Sequence, residues 1–332
     1  MNLDNSFKKL EEILKFLPSS GYIAGFGKVE NDLNLFFNGY SLIFPRKLKV
    51  KRDTVFDLAS LTKPLITANL FRILKIDLSI PFELKGIEKF PYGVPNLIDL
   101  LNHKSGLPSW YPLELLSKDP EKAVKKIPSL QLTEPLVKTE YSCLGYILLG
   151  KWLEENFGKK LEEIVEEKII KPFKLEGEIF FPFKNQISKL KVAGTEFGNK
   201  IERGKTNFKI KKRRPPIWGE VHDGNAFFLG GCAGNAGLFG TIYGVYRLAK
   251  TIWIDGFEGK EGEYFYGLKI GGGESAFPKE TLGHTGFTGT SFCLHIKKKY
   301  ISILLTNRLH RKKPEDINIY RKKFHSFFEN LV

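Results

Sequence analysis

The chain has few of the residues that usually announce a redox, metal or membrane protein. Three cysteines, one methionine and two glutamines are spread over 332 residues. The cysteines, Cys143, Cys232 and Cys293, are odd in number and widely spaced, with no Cys-x-x-Cys pair, so neither a disulfide framework nor a zinc site is indicated. A reducing compartment suits such a chain. No uninterrupted apolar run approaches about 18 residues, which excludes a membrane-spanning helix. The first apolar cluster, Ile13, Leu14, Phe16 and Leu17, follows Glu11 and Glu12, is broken by Lys15 and leads to no small-residue cleavage site. It does not read as a secretory signal, so the expected location is the cytoplasm, or the periplasm if a signal has been removed. No internal repeat or disordered tail is apparent.

What is present can build a large core. At 42% hydrophobic and 13% aromatic content, the composition is that of a globular protein, here expected to form one domain over residues 1–332. The net charge of +15 comes from lysines scattered through nearly every segment. Abundant Lys and Glu beside so little Gln and Met resembles a thermophile's surface chemistry. The one dense basic cluster, Lys209, Lys211, Lys212, Arg213 and Arg214, runs into Pro215 and Pro216. That pattern reads as an exposed connector, with a polyanion site as the alternative. No recognition-helix or RNA-binding pattern surrounds it, so no nucleic-acid partner is expected.

Hydrophobic periodicity divides the chain into strands at its ends and helices between them. Residues 21–28 and 34–44 read as a hairpin turning at Glu30-Asn31-Asp32, behind an amphipathic helix over 5–17 stopped by Pro18. Apolar spacing of 3.6 predicts helices over 60–75, 96–103, 120–126, 144–157 and 159–170. Two β-rich runs, 290–296 and 300–306, flank a turn at Lys297-Lys298-Lys299, and a final helix covers 315–331. The predicted fold class is α/β (α+β): an antiparallel sheet from both termini, flanked by helices, with an inserted helical region. The α/β part takes 1–65 and 240–332, the insertion 66–239, and the site is expected at their seam.

The first chemical signal is Ser60-Leu61-Thr62-Lys63-Pro64 at a predicted helix start. Residues three apart share a helix face, so the Lys63 amine can reach the Ser60 hydroxyl. A serine needs such a base to become a nucleophile, and lysine serves only where burial or neighbouring cations lower its pKa. Taken alone, the pattern equally describes a serine that caps a helix.

Two later segments change its weight. Tyr141-Ser142-Cys143 opens the apolar helix Leu144-Gly145-Tyr146-Ile147-Leu148-Leu149-Gly150, and His284-Thr285-Gly286 is expected to lead into a strand. With Ser-x-x-Lys, these resemble in order the three motifs of the β-lactamase and penicillin-binding serine hydrolases. Class C β-lactamases and the related esterases and D-alanyl-D-alanine carboxypeptidases are the nearest in kind. Leu100-Leu101-Asn102-His103-Lys104-Ser105-Gly106-Leu107-Pro108, Val221-His222-Asp223-Gly224-Asn225-Ala226 and Ala233-Gly234-Asn235-Ala236-Gly237-Leu238-Phe239 also resemble signatures of that group.

The resemblance implies that Ser60 is acylated, with Lys63 and Tyr141 sharing general base and acid work. It implies an oxyanion hole from the backbone N–H groups of Ser60 and Phe287, and a substrate groove lined by Cys143, His284, Thr285 and Gly286. For the Tyr141 phenol to act as a base, a nearby cation, foremost Lys63, must lower its pKa. No metal or other cofactor is implied. The partner is a small-molecule or short-peptide substrate: a carboxylic ester, a D-amino-acid amide or, weakly, a β-lactam. The alternative is a non-catalytic penicillin-binding-like protein sensing a peptide or cell-wall fragment. Two departures from the pattern shape this reading. Cys143 stands where the group has Asn or Asp, and cannot offer an amide's paired donor and acceptor; His284 replaces a lysine with a weaker positive field. His103 is expected to fix a helix end, and His222 with Asp223 either to fix a loop or to touch substrate. The glycine-rich stretches 230–240 and 271–273 lack the context of a phosphate loop.

Overall fold

The computed structural model describes residues 3–182, 188–204, 212–253 and 262–330. Eleven strands are formed among them: β1 Gly21–Lys28, β2 Asn34–Leu42, β3 Leu48–Lys49, β4 Phe56–Asp57, β5 Ile179–Phe180, β6 Phe239–Gly240, β7 Tyr264–Phe265, β8 Leu268–Ile270, β9 Thr281–Thr285, β10 Ser291–His295 and β11 Tyr300–Thr306. Eight build one antiparallel sheet in the order β3-β2-β1-β11-β10-β9-β8-β7, and β4-β6-β5 form a small second sheet. The predicted sheet from both termini is therefore the observed one. Its central seam joins β1 to β11 over seven pairs, from Tyr22 opposite Thr306 to Lys28 opposite Tyr300.

Side-chain alternation explains why this sheet is covered on both faces. Along β11, Ile301, Ile303 and Leu305 join the large core with Phe292 and Leu294 of β10 and Ile242 and Val245 of the helix Ile242–Thr251. On the opposite face, Leu304 joins Ala24 and Phe26 against Leu10 and Leu14 of the helix Leu3–Lys15 and Phe324 and Phe328 of the final helical segment. Burial on both faces is why β10 and β11 read as near-continuous apolar runs.

The helix Cys143–Phe157 is apolar around most of its circumference, and every residue from Cys143 to Gly150 is buried. A helix of that kind belongs inside a protein. Ser142 caps its start by accepting from the Gly145 N–H at 3.3 Å, and Gly158, left-handed at φ 61°, ends it. Gly234 lets the 233–236 turn press onto this helix, where a β-carbon would collide with the Tyr146 carbonyl. The predicted helix over 60–75 is less regular than its periodicity implies: a 3₁₀ turn Ala59–Leu61, a π-helical stretch Lys63–Ala68 and an α-helical end Asn69–Ile73. Among the described residues no helix is long and apolar enough to cross a membrane.

Candidate active site

β4 delivers the chain to Ser60 through a strained turn. Ala59 adopts φ 48°, a left-handed conformation that costs a residue with a β-carbon about 1–2 kcal/mol. The conformation is held from both sides. The buried Asp57 carboxylate accepts from the Ala59 N–H at 2.8 Å, and the Thr62 hydroxyl donates to the Ala59 carbonyl at 2.6 Å. The π-helical stretch that follows tolerates Pro64 in its first turn and carries Lys63 inward.

Lys63 is completely buried. Its amine donates to Ser60 Oγ at 2.9 Å, to the Asn235 carbonyl at 3.0 Å and to Cys143 Sγ at 3.4 Å. The spacing expected from Ser-x-x-Lys is thus realised. The same nitrogen lies 5.0 Å from the centre of the Tyr141 ring and 5.8 Å from that of Tyr146.

The second motif is anchored by His103, whose Nδ1 accepts from the Ser142 N–H at 3.1 Å, while Ser142 Oγ donates to the Pro108 carbonyl at 2.7 Å. His103 itself is left-handed at φ 61° just past the helix Leu97–Leu101, so it fixes that helix end as expected and the Tyr141 turn as well. The Tyr141 hydroxyl is hydrogen-bonded with Ser60. Its pKa is raised well above the ordinary value, first by burial and then by the neighbouring Cys143. This reverses the expectation that Lys63 would lower it. The ammonium lies over the ring rather than beside the oxygen, and burial outweighs it. Burial likewise pushes the Cys143 thiol up, against the pull of Lys63.

The third motif ends a strand rather than leading into one: Thr285 is the last residue of β9. The turn after it is stitched to the segment that leads to Ser60. Thr288 Oγ donates to the Asp57 carbonyl at 2.8 Å, Thr290 Oγ to the Leu58 carbonyl at 3.1 Å, and the Gly286 N–H to the Thr290 carbonyl at 2.7 Å. A β-carbon at Gly286 would strike Thr290 Oγ and the Leu58 carbonyl, so this approach requires glycine. Behind the turn, the buried Arg321 donates to the Gly286 carbonyl at 2.6 Å and to the Thr290 carbonyl at 2.9 Å. Burial lowers its pKa to about 9. His284 is 3% exposed, and burial followed by the charge of Lys63 depresses its pKa to about 3. It is neutral at physiological pH.

On the other side of Ser60 lies an acidic layer of which the sequence motifs disclose only His222 and Asp223. The His222 N–H donates to the second Asp57 oxygen at 2.8 Å, and its ring Nε2 pairs with Glu196 at 2.7 Å. Burial disfavours charge on His222, yet the hydrogen bond with Glu196 and the fields of Glu202, Glu196 and Asp57 leave its pKa raised. Glu202 accepts from the Gly224 N–H at 2.7 Å. Burial and Asp223 raise its carboxyl to about 7. Arg213, expected in an exposed basic connector, is folded against this layer: it donates to the His222 carbonyl at 2.9 Å, pairs with Glu220 at 3.1 Å and lies over the Phe227 ring at 4.0 Å. Lys209 and Lys211 of that cluster lie outside the described residues.

Ser60, Tyr141, Cys143, His284, Thr285, Gly286 and Phe287 all line one open cavity of about 1120 Å³, with Lys63 beneath its floor. The residues expected to act together are therefore brought together. Among the described residues, one group could geometrically ligate a metal. Cys293, His295 and His325 lie in the terminal-helix layer behind the sheet, with ligand atoms within 4.8 Å of one another. There the His325 nitrogens meet Ser291 Oγ at 2.9 Å and Ser302 Oγ at 2.8 Å, and His295 Nε2 meets Ser302 Oγ at 2.9 Å, a network closed on itself.

The chain is similar in sequence and fold to several known proteins. A putative D-alanyl-D-alanine carboxypeptidase of Escherichia coli K12 is 29% identical over 318 residues, which cover 81% of this chain and 73% of that protein. EstCE1, described as a hydrolase with promiscuous acyltransferase activity, superposes with a TM-score of 0.71 at 17% identity, covering 98% of this chain and 100% of its own. The D-amino acid amidase of Ochrobactrum anthropi SV3, solved with D-phenylalanine, gives 0.70 at 16% identity with full coverage of both chains. The β-lactamase family profile matches residues 31–325. With the fold, the motif order and this match in agreement, the chain is a member of the β-lactamase family of serine hydrolases.

Proposed function

We propose that the enzyme cleaves carboxylic esters or D-amino-acid amides through an acyl-enzyme on Ser60. The observation that carries this reading is the 2.9 Å contact between the Lys63 amine and Ser60 Oγ, at the floor of an open cavity.

Ser60 Oγ attacks the substrate carbonyl carbon and its proton passes to the amine nitrogen of Lys63. Negative charge on the carbonyl oxygen is received by the backbone N–H groups of Ser60 and Phe287, a contribution of roughly 3–4 kcal/mol per donor in comparable sites. Tyr141, kept protonated by burial, donates its proton to the departing alkoxide or amine and regains one from Lys63. The ester between Ser60 and the acyl group forms as the substrate's C–O or C–N bond breaks. A water molecule then attacks the acyl-enzyme, the same pair removes its proton, and Ser60 Oγ leaves with a proton restored. Cys143, Thr285 and Gly286 border the groove beside the reacting carbonyl.

Two features favour esters and D-aminoacyl substrates over efficient β-lactam hydrolysis. His284 carries no charge at neutral pH, and Cys143 lacks an amide's paired donor and acceptor. The names borne by the relatives, a carboxypeptidase, an amidase and an acyl-transferring hydrolase, fit the same class of acyl transfer.

The test is covalent labelling with intact-mass readout. A fluorophosphonate adds one adduct to the wild type and none to Ser60→Ala, and hydrolysis of p-nitrophenyl esters and D-alanyl-D-alanine peptides falls by about a thousandfold or more in that variant. A fluorescent penicillin that labels poorly beside efficient phosphonate labelling assigns the esterase side of the range. No adduct at Ser60 together with no cleavage of either substrate class defeats the reading.

A further inference from the structure

The acidic layer beside Ser60 has no part in the acyl-transfer steps above, yet it faces the same cavity. Its four carboxylates differ in how far they are used. Both Asp57 oxygens are engaged, by the Ala59 and His222 N–H groups. Both Glu196 oxygens are engaged, by His222 and by the Ile201 N–H. Asp223 and Glu202 each keep an oxygen in reserve. Asp223 Oδ1 accepts from the Ala226 N–H at 2.7 Å, capping the helix Gly224–Phe228, and its second oxygen has no hydrogen-bond partner among the described residues. Glu202, only 6% exposed, accepts from the Gly224 N–H, and its buried Oε2 has no hydrogen-bond partner among the described residues, with His222 and Arg213 acting on the carboxyl through space.

Both residues line the cavity with Ser60 and Tyr141. Asp223 follows His222, whose N–H is bonded to Asp57, the residue that holds the Ala59 turn before Ser60, so its side chain enters the cavity from a segment tied to the Ser60 turn. In a chain of net charge +15, two incompletely satisfied carboxylates beside the nucleophile are an outlier that folding does not demand. A buried acceptor without a donor costs about 1–3 kcal/mol, more when charged. A ligand that brings N–H donors and positive charge would recover that cost.

We propose that Asp223, backed by Glu202, is the subsite for a protonated amine on the substrate, close to the scissile carbonyl. The preferred substrates are then esters and amides of amino acids, or short peptides, that carry a free α-amino group. The ligand chemistry follows from the acceptors. An ammonium offers three donors to a few oxygens, whereas a calcium-like cation needs six to eight oxygen ligands, and among the described residues this layer offers two reserve oxygens. The inference rests on the hydrolase reading of Ser60, and its test is chosen to be separable from it.

The experiment measures binding, not turnover, by titration calorimetry on full-length Ser60→Ala protein. The ligands are D-phenylalaninamide and 3-phenylpropanamide, which differ by the amino group. The amine binds roughly 10- to 100-fold more tightly, as expected for a charge-assisted contact. Adding Asp223→Asn, which retains an oxygen to cap the helix, brings the two ligands within about threefold of each other. Adding Glu202→Gln, which keeps the bond to Gly224, gives an intermediate ratio. Equal binding of the two amides, binding of neither, or a preference that survives Asp223→Asn overturns the subsite. Failure of the hydrolase reading would appear elsewhere, as the absence of a phosphonate adduct on wild-type Ser60 whatever the amides do.

Discussion

Two clusters among the described residues bring a serine and a cysteine to a nitrogen base, with the same distance from serine to base. In one, Lys63 lies 2.9 Å from Ser60 Oγ beside Cys143; in the other, His325 lies 2.9 Å from Ser291 Oγ beside Cys293. What separates them is everything around the pair. Ser60 follows a strained left-handed alanine and opens onto a large cavity. Ser291 sits in a regular strand at 0% exposure, and both His325 nitrogens are used up on serine hydroxyls. A serine–base contact is therefore not a site in itself. It becomes one where substrate can enter and where hydrogen-bonding capacity is left for the transition state.

The most severe test of that contrast is to remove each base. Lys63→Ala is expected to lower kcat by about 10²- to 10⁴-fold, the range for a lost general base. His325→Leu leaves kcat within about twofold but strands the buried Ser291 hydroxyl, Ser302 keeping its bond with His295, at about 1–3 kcal/mol in urea unfolding. Comparable losses of activity in the two variants would erase the distinction.

A second, intermediate effect comes from pH. Burial above all lowers the pKa of His284 to about 3 and of His295 and His310 to about 4, and depresses His103 and His325 well below the ordinary value. Each is neutral when folded and protonates near 6.5 when unfolded. Their contribution is full above that value and is lost as pH falls toward the folded pKa. Four groups act in the opposite sense. His222, raised in the fold, contributes most below about 6.5 and loses that contribution as pH rises through its folded pKa, while Asp57, Asp99 and Glu202, also raised, hold protons more tightly when folded. Five depressed histidines outnumber these, so the urea midpoint is expected to fall steeply between about pH 6.5 and 4.5. His325→Leu should flatten that slope by about one proton, or about 1.4 kcal/mol per pH unit. A midpoint independent of pH over this range would show that the behind-sheet cluster is not held neutral.

The smallest expected effect sharpens the active side of the comparison. Cys143→Asn gives the groove an amide and should raise the ratio of kcat/KM on D-amino-acid amides to that on p-nitrophenyl esters by about threefold to tenfold. An unchanged or lower ratio would mean that the thiol is not what limits amide recognition.

Much of this was legible before any coordinates. The strand pairs at the two ends announced themselves through β-branched and aromatic runs, and the apolar helix from Cys143 through its unbroken hydrophobicity. Ser60 and Lys63 were legible as a pair because residues three apart share a helix face, whereas Tyr141 and the His284-Thr285-Gly286 segment, far along the chain, were legible through their resemblance, in order, to the motifs of the β-lactamase serine hydrolases. What escaped depends on long-range packing. β7, β8 and the small β4-β6-β5 sheet are two or three residues each, too short to show a period. The raised pKa of Tyr141 could not be read because it follows from burial, not from the nearness of Lys63 in the motif order. Glu202 reaches the site from the five-residue helix Lys200–Gly204, too short to show a period, and Asn235 meets Lys63 through its backbone carbonyl, a role its side chain does not announce. Arg213 looked like part of a solvated basic run because its partners, Glu220 and the His222 carbonyl, are fixed only by the folded loop.

The pairing of β1 with β11 also has a consequence for biosynthesis. Ser60 and Lys63 leave the ribosome early, but the turn at Gly286 and the strand that closes the sheet emerge more than 220 residues later. Contacts of such separation form slowly, because the loop between them must first be closed. The nascent chain therefore carries Ser60 and Lys63 without the Gly286 turn that packs against them, and the proposed acyl-transfer site is complete only when the C-terminal strands have docked.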